Sequence, residues 1–193
     1  MVKNKHINLA IFASGSGTNA ENIAKYFEER ETVQVKEIFS NKKDAGVHSR
    51  AEKLGIPSST FSKEQFQDSS FIKRLEDIDY IILAGFLWLV PPYLIKAFPN
   101  RIINIHPALL PKFGGKGMYG DKVHTAVIEK REKESGITIH LVNEEYDKGE
   151  ILFQATCKVD EKDTPDSLAK KIHALEYEHF PRVIEEYIHR HTK

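Results

Sequence analysis

The sequence predicts an α/β fold: a doubly wound, mostly parallel sheet with an antiparallel strand pair toward its C-terminal end and a final long helix. Three observations predict it. Short apolar runs alternate with amphipathic segments across the first half of the chain, the βαβα rhythm that builds a parallel sheet. Tyr80-Ile81-Ile82-Leu83-Ala84 is apolar throughout, as a strand covered on both faces must be. Beyond Ile105 the rhythm changes: Ile137 to Val142 and Ile151 to Val159 read as two strands with only a turn between them, an antiparallel pair.

Taken in order, Ile7 to Phe12 is a buried first strand and Thr18 to Glu29 the helix after it. Val33 to Phe39 is the second strand. Ala45 to Leu54 is a helix ended by Gly55 and Pro57, residues that stop helices. Ser59 to Phe61 is a short strand, and Glu64 to Leu75 a single helix. Pro92 to Ala97 is a short helix with proline at its start, and Arg101 to Ile105 a fifth strand. Lys122 to Glu132 is a helix with a solvated, charged end. The last helix opens at Thr164-Pro165-Asp166, a capping threonine with proline in the first turn. It carries Leu168, Ile172 and Leu175 on one face; Pro181 is expected to kink or restart it, and His189-Arg190-His191 is a solvated tail.

Composition bounds the function. A chain of 193 residues suits one domain with a sizeable core. Lys plus Arg equals Asp plus Glu at 28 each, so the basic excess of nucleic-acid binders is missing and no nucleic-acid partner is expected. The single cysteine, Cys157, permits no intrachain disulfide, which suits a reducing compartment; within its strand it reads as a small core residue. Met1 to His6 is polar, without the apolar stretch of a signal peptide. The richest apolar run, Ile81 to Val90, is broken by Gly85 and followed by Pro91-Pro92, too short for a membrane span. A cytoplasmic protein with no membrane partner is expected. Nine histidines show no HExxH motif and no Cys/His pairs, so no metal is expected.

The first strand runs into Ala13-Ser14-Gly15-Ser16-Gly17-Thr18-Asn19-Ala20 and then a helix. Such a turn offers an anion unpaired backbone N–H groups and the positive end of a helix dipole. Glycine admits a phosphate close to the backbone, and Thr18 and Asn19 add side-chain hydrogen bonds; without a ligand the same turn is simply tight. The letters fit G-x-G-x-x-A, but a dinucleotide site also wants an acid at the end of strand two. Ser40-Asn41 stands there with Lys42-Lys43 behind, which disfavours NAD and leaves NADP open. No Gly-Lys-Ser/Thr follows, so the turn is not a P-loop.

The fifth strand closes as Asn104-Ile105-His106-Pro107. Alternate residues of a strand share a side, so Asn104 and His106 project together at a carboxyl strand end, where open α/β sheets place ligands. Two donors on one side suit an oxyanion hole, and a protonated His can also supply a proton. No convincing Ser or Cys nucleophile stands nearby in sequence, which favours direct transfer to an external nucleophile. Asp147-Lys148-Gly149 alone reads as a turn, because Asp bonds its own backbone; an Asp meeting a His in a cleft would orient the ring and favour its charged form. Gly114 to Gly120 is either a lid or an exposed loop, and His124 reads as structural.

Ala13 to Asn19, Leu83-Ala84-Gly85-Phe86-Leu87, Asn104-Ile105-His106-Pro107-Ala108-Leu109-Leu110-Pro111, and Gly136-Ile137-Thr138 with Asp147-Lys148-Gly149 together resemble the phosphoribosylglycinamide formyltransferase family. The resemblance runs over nearly the whole chain. It implies a Rossmann-like formyltransferase domain over 1–193, with a nucleotide- and phosphate-binding half at 1–100 and a folate-binding and catalytic half at 101–193. It implies formyl transfer from 10-formyltetrahydrofolate, a co-substrate, to the amine of glycinamide ribonucleotide in de novo purine (IMP) biosynthesis. The implied catalytic set is Asn104, His106 and Asp147, and the implied phosphate contacts are Gly17, Thr18 and Asn19. Glu176 matches an acid on the ribose side, and His173 stands where some relatives carry a phosphate-side lysine. The implied folate pocket takes Leu87, Trp88, Leu89 and Val90, Asn104, and the loop from His140 to Asp147, with Lys63 near the folate tail. Trp88 stands where many relatives carry arginine. Lys63 also replaces an arginine, which leaves only point-charge pairing.

The amine is expected to attack the formyl carbon directly above the carboxyl ends of the central strands. Asn104 and His106 then stabilise the oxyanion, and Asp147 keeps His106 oriented and charged. Monomer and homodimer both stay open. A formyltetrahydrofolate hydrolase is expected to add an N-terminal regulatory domain, and a transfer-RNA formyltransferase a C-terminal RNA-binding domain. An NADP-binding reductase or nucleotide-binding module is the alternative of a different class.

Overall fold

The computed structural model describes residues 6–191; the polar lead Met1 to Lys5, read above for the compartment, lies outside the described residues. Among the described residues the strands are β1 (Ile7–Ala13), β2 (Val33–Ser40), β3 (Ser58–Thr60), β4 (Tyr80–Leu83), β5 (Ile102–His106), β6 (Glu134–Leu141) and β7 (Ile151–Lys158). They form one sheet in the order β3-β2-β1-β4-β5-β6-β7. β1 pairs parallel with β2 and β4, β2 pairs parallel with β3, and β6 and β7 are antiparallel. The helices are α1 (Thr18–Glu28), α2 (Gly46–Lys53), α3 (Lys63–Gln67), α4 (Pro92–Ala97), α5 (Asp121–Glu129) and α6 (Pro165–His191). The mostly parallel doubly wound sheet, the antiparallel pair and the long last helix are all present. The chain forms two compact units that divide between Ile103 and Asn104.

In the first unit, strand order creates the ligand position. β2 and β3 step away on one flank of β1, and β4 pairs on the other. The carboxyl ends of β1 and β4 therefore lie side by side at a switch point, where open α/β sheets bind ligands. Beneath this edge the rings of Phe12, Phe39, Phe61, Phe66, Phe71 and Phe86 interlock. Phe12 is 5.0 Å from Phe39 and 5.5 Å from Phe86, and Phe61 is 5.1 Å from both Phe66 and Phe71. Most meet tilted or edge-on, as aromatic quadrupoles prefer.

The helix expected over Glu64–Leu75 is two pieces. Ser62 opens α3 with a reciprocal cap: its hydroxyl accepts the Gln65 N–H at 3.2 Å, and Gln65 Oε1 accepts the Ser62 N–H at 2.8 Å. Asp68 then turns extended, its carboxylate accepts the Ser70 N–H at 2.8 Å, and Ser69–Leu75 continues as a 3-10 helix. An Asp that binds its own downstream backbone competes with the helical ladder.

In the second unit, α6 runs unbroken through Pro181, so the expected restart does not occur. Phe180, Pro181, Val183 and Ile184 are all buried, and that burial offsets the backbone hydrogen bond that proline forfeits. Thr164 does cap the helix: its hydroxyl accepts the Ser167 N–H at 3.2 Å, and Ser167 Oγ accepts the Thr164 N–H at 3.0 Å. The inward stripe is Leu168, Ile172, Glu176 and Phe180, so an acid rather than Leu175 points to the interior. The β6–β7 connection is a loop over 142–150 rather than only a turn. Cys157 is half-buried in β7 rather than a full core residue.

The turn after β1 is shaped by α2. Gly17 is buried with φ 77°, and a Cβ there would sit 2.4 Å from Val47 Cγ2 and 2.6 Å from Val47 Cα. The Val47 N–H donates to Gly15 O at 3.2 Å, and Arg50 Nε donates to Ser16 O at 2.8 Å. Gly17 thus lacks a side chain because α2 occupies its space. Gly17→Ala is expected to destabilise by roughly 1–2 kcal/mol for left-handed backbone and about 1–3 kcal/mol more for overpacking. Gly15→Ala, at an exposed site with nothing within 4 Å of an added Cβ, should stay within about 0.5 kcal/mol. Urea unfolding compares the two; equal midpoints would remove the packing account.

Candidate active site

β5 delivers Asn104 and His106 to one side, and the 142–150 loop returns Asp147 to them. The His106 ring is 3% exposed. Its Nε2 lies 2.8 Å from Phe113 O; a carbonyl only accepts, so Nε2 carries the proton and donates. Its Nδ1 stands 3.6 Å from Asp147 Oδ2. That oxygen also accepts the Gly115 N–H at 2.9 Å, and Asp147 Oδ1 lies 3.6 Å from His140 Nε2. Asp147 has φ 55°, a left-handed setting that Asp tolerates better than most residues. It is both the turn residue and the partner of the histidine.

The loop after β5 is built into this cluster. Phe113 and Gly115 supply its carbonyl and amide, and a Cβ on Gly114 would lie 2.5 Å from Leu110 Cδ2 and 3.3 Å from Asp147 Cβ. Behind it, Thr138 Oγ1 donates to Ala108 O at 2.7 Å and accepts the Leu110 N–H at 3.0 Å. Gln154 Nε2 donates to that hydroxyl at 2.9 Å and to Leu110 O at 3.1 Å. The chain leaving His106 is therefore fixed by a polar clamp centred on the buried Thr138 hydroxyl.

His140, which the resemblance assigns to a folate pocket, has a ring 2% exposed with both nitrogens engaged within the protein. Nδ1 donates to Leu141 O at 2.8 Å, which leaves Nε2 to accept the Asn104 Nδ2–H at 3.0 Å. His140 thereby orients the Asn104 amide. The only sequence signal was a polar residue in an otherwise apolar buried strand.

Burial pushes His106 below the ordinary imidazole pKa, and the charge of Asp147 and the Phe113 carbonyl offset only part of that. Removing the ring from water outweighs a carboxylate 3.6 Å away, which weighs against the expectation that Asp147 keeps His106 charged. Burial raises Asp147, but the His140 ring, the charge of His106 and the Gly115 amide outweigh it and hold the carboxyl below its usual range. On α6, His173 Nδ1 lies 2.9 Å from Glu176 Oε2. That contact raises His173, against the opposing effect of burial.

In the first unit, the Ser14 N–H donates to Gly85 O at 3.1 Å, and the Leu87 N–H donates to Ser14 Oγ at 3.1 Å. The glycine turn and the loop after β4 are thus joined. The residue that opens α1, Gly17, gives the helix no side-chain cap. Leu87 is half-buried, Leu89 exposed and Val90 buried. The Trp88 ring belongs to the aromatic cluster, 6.0 Å from Phe61 and 6.1 Å from Phe66 and Phe86. Lys63 is exposed at the start of α3. Among the described residues no three His, Cys, Asp or Glu are grouped to hold a metal, and no helix is long and apolar enough to cross a membrane.

A family model described as formyl transferase matches residues 7–184. The chain belongs to the formyl transferase family. A formyl transferase relative from Arabidopsis thaliana, phosphoribosylglycinamide formyltransferase, chloroplastic, is 43% identical over 91% of this chain and 63% of its own length. The Vigna unguiculata protein of the same name is 39% identical and is covered over 59% of its length. The chain thus spans under two thirds of these two plant relatives. The Bacillus subtilis phosphoribosylglycinamide formyltransferase is 35% identical over 92% of both chains. A solved phosphoribosylglycinamide formyltransferase from Bacillus halodurans matches at a TM-score of 0.85 and 33% identity, over 94% of this chain and 95% of that one. Because the plant formyl transferases are named chloroplastic, family membership does not carry the cytoplasmic compartment expected above.

The histidine settings predict opposite responses to pH. In an NMR titration His106 should titrate below the ordinary value of about 6.5, and Asp147→Asn should lower it further, because the carboxylate is what raises it. The unfolded chain then binds the His106 proton more tightly than the native one, so this group costs no stability above about pH 6.5 and an increasing amount below it. His173 acts with the other sign: its contribution is present at acid pH and lost as pH rises through its elevated folded value. A His106 midpoint above the ordinary value would reverse the first sign.

Proposed function

We propose that this chain transfers the formyl group of 10-formyltetrahydrofolate to the amine of glycinamide ribonucleotide, a step of purine (IMP) biosynthesis. The observation that carries the reading is the arrangement of Asn104, His106 and Asp147, with His106 Nδ1 facing the Asp147 carboxylate. The names of the relatives supply the substrates.

The amine attacks the formyl carbon, and the formyl oxygen becomes an oxyanion that takes the second Asn104 N–H. The amine proton moves to the lone pair of His106 Nδ1, and the imidazolium forms beside Asp147, which stabilises it. Once charged, His106 adds its positive charge to the stabilisation of the oxyanion. The proton then passes to folate N10 as its bond to the carbon breaks. One C–N bond replaces another, and one proton is exchanged. The nucleotide phosphate is assigned to the amides of Gly17, Thr18 and Asn19 at the start of α1, and the ribose side to Glu176 and His173. The folate is assigned to Leu87, Trp88, Leu89 and Val90, with Lys63 as a point charge for a tail carboxylate. No resident metal is assigned.

Mixed with both substrates, the chain should yield formylated nucleotide and tetrahydrofolate; hydrolysis of the donor without transfer, or no reaction, would overturn the reading. Asn104→Ala should lower kcat by on the order of 10²–10³ with KM nearly unchanged. Asp147→Asn should cost much less in a His106→Ala background than alone, since groups acting as a unit lose function non-additively. Multiplicative losses would reduce Asp147 to a turn residue.

A further inference from the structure

His124, in the first turn of α5, is a buried polar side chain that the reaction above leaves unused. The sequence reads it as structural, yet the structure gives it no structural hydrogen bond. The residue is 2% exposed, its Nδ1 is buried without a partner, and Nε2 is not sealed off in the same way. Leaving a buried polar atom unpaired costs about 1–3 kcal/mol, and native interiors keep few such atoms.

Its electrical surroundings belong to the site. α5 packs on α6. The charges acting on His124 come from His173 and Glu176 of α6, from Asp121 of α5 and from His106 of β5. Burial pushes His124 below the ordinary imidazole value, with His173 adding to the effect. The ring is therefore neutral, with one N–H and one lone pair, among the residues assigned above to the transferred proton and the ribose side.

We propose that His124 is a specificity-determining contact for the amine-bearing acceptor, its Nε2 hydrogen-bonding an oxygen of that substrate. The inference rests on the reading of the chain as a transferase to a phosphorylated amine. Among the described residues the Nε2 atom has no protein partner and is available to a ligand, and an acceptor that lacks the matching oxygen forgoes that hydrogen bond.

His124→Leu tests this, because replacing an unpaired buried nitrogen by apolar surface leaves the fold intact. Its unfolding midpoint should equal or exceed that of the unsubstituted chain. Its KM for glycinamide ribonucleotide should rise roughly tenfold, the worth of one hydrogen bond, while KM for the folate donor stays unchanged. His124→Gln, which returns an amide near the Nε2 position, should restore most of the acceptor affinity, and His124→Asn, which reaches only the Nδ1 position, should not. The rise in melting temperature on adding glycinamide ribonucleotide alone reads binding without turnover. A lowered midpoint in His124→Leu with no recovery in His124→Gln, or equal rises in both KM values, makes His124 structural and overturns the inference. An undiminished acceptor-induced shift in His124→Leu sinks this inference alone. An unsubstituted chain that neither responds to the nucleotide nor forms product removes the transferase reading, and this inference with it.

Discussion

The Asp147 carboxylate is the contact on which the second unit's site depends. Its Oδ2 meets both the Gly115 amide and His106 Nδ1, and its Oδ1 faces His140. Three separate stretches of chain converge on it: the end of β5, the glycine-rich loop and the end of β6. It is held there on a left-handed backbone at Asp147, with Gly114 packed close against it. Desolvation works against the anion, and the His140 ring, the charge His106 carries when protonated and the Gly115 amide outweigh that penalty. A carboxylate kept charged in a dry place stabilises a neighbouring imidazolium far more than one in water does.

The histidines of this unit are set apart by their environments rather than by their sequence neighbours. His106 and His124 are buried and driven toward neutrality, while His173 is exposed beside Glu176 and driven toward its charged form. His140 is committed at both nitrogens. Pushing the pKa values of neighbouring groups apart is how a protein assigns acid and base roles at one pH. A net charge of zero over the chain conceals this local arrangement.

What was legible followed from periodicity. The apolar runs of β1, β4 and β5 and the amphipathic α1 and α2 are local signals, and they gave the sheet and the projection of Asn104 and His106. The failures share a cause: the deciding partner lies elsewhere in the chain. Glu64–Leu75 keeps helical spacing, but the Asp68 carboxylate captures a backbone amide and divides it. Pro181 should interrupt α6, but the packing of Phe180 and Ile184 carries the helix past it. At Gly17 the local letters show the close approach open to a phosphate but not the second demand on the position, room for Val47. Asp147 explains itself locally as a turn residue, so only the family resemblance attached it to His106. The hold of His140 on Asn104 crosses strands, and no spacing rule encodes it.

The Phe113 carbonyl has a consequence for traffic through the His106 ring. A carbonyl has no hydrogen to give, and it occupies Nε2, so the ring has a single port. Whatever enters at Nδ1 must leave by Nδ1. The imidazole cannot pass a proton from one face of the site to the other, as a two-sided relay would. It can only borrow one and hand it back on the same side, which ties the release of a proton by one reactant to its uptake by another.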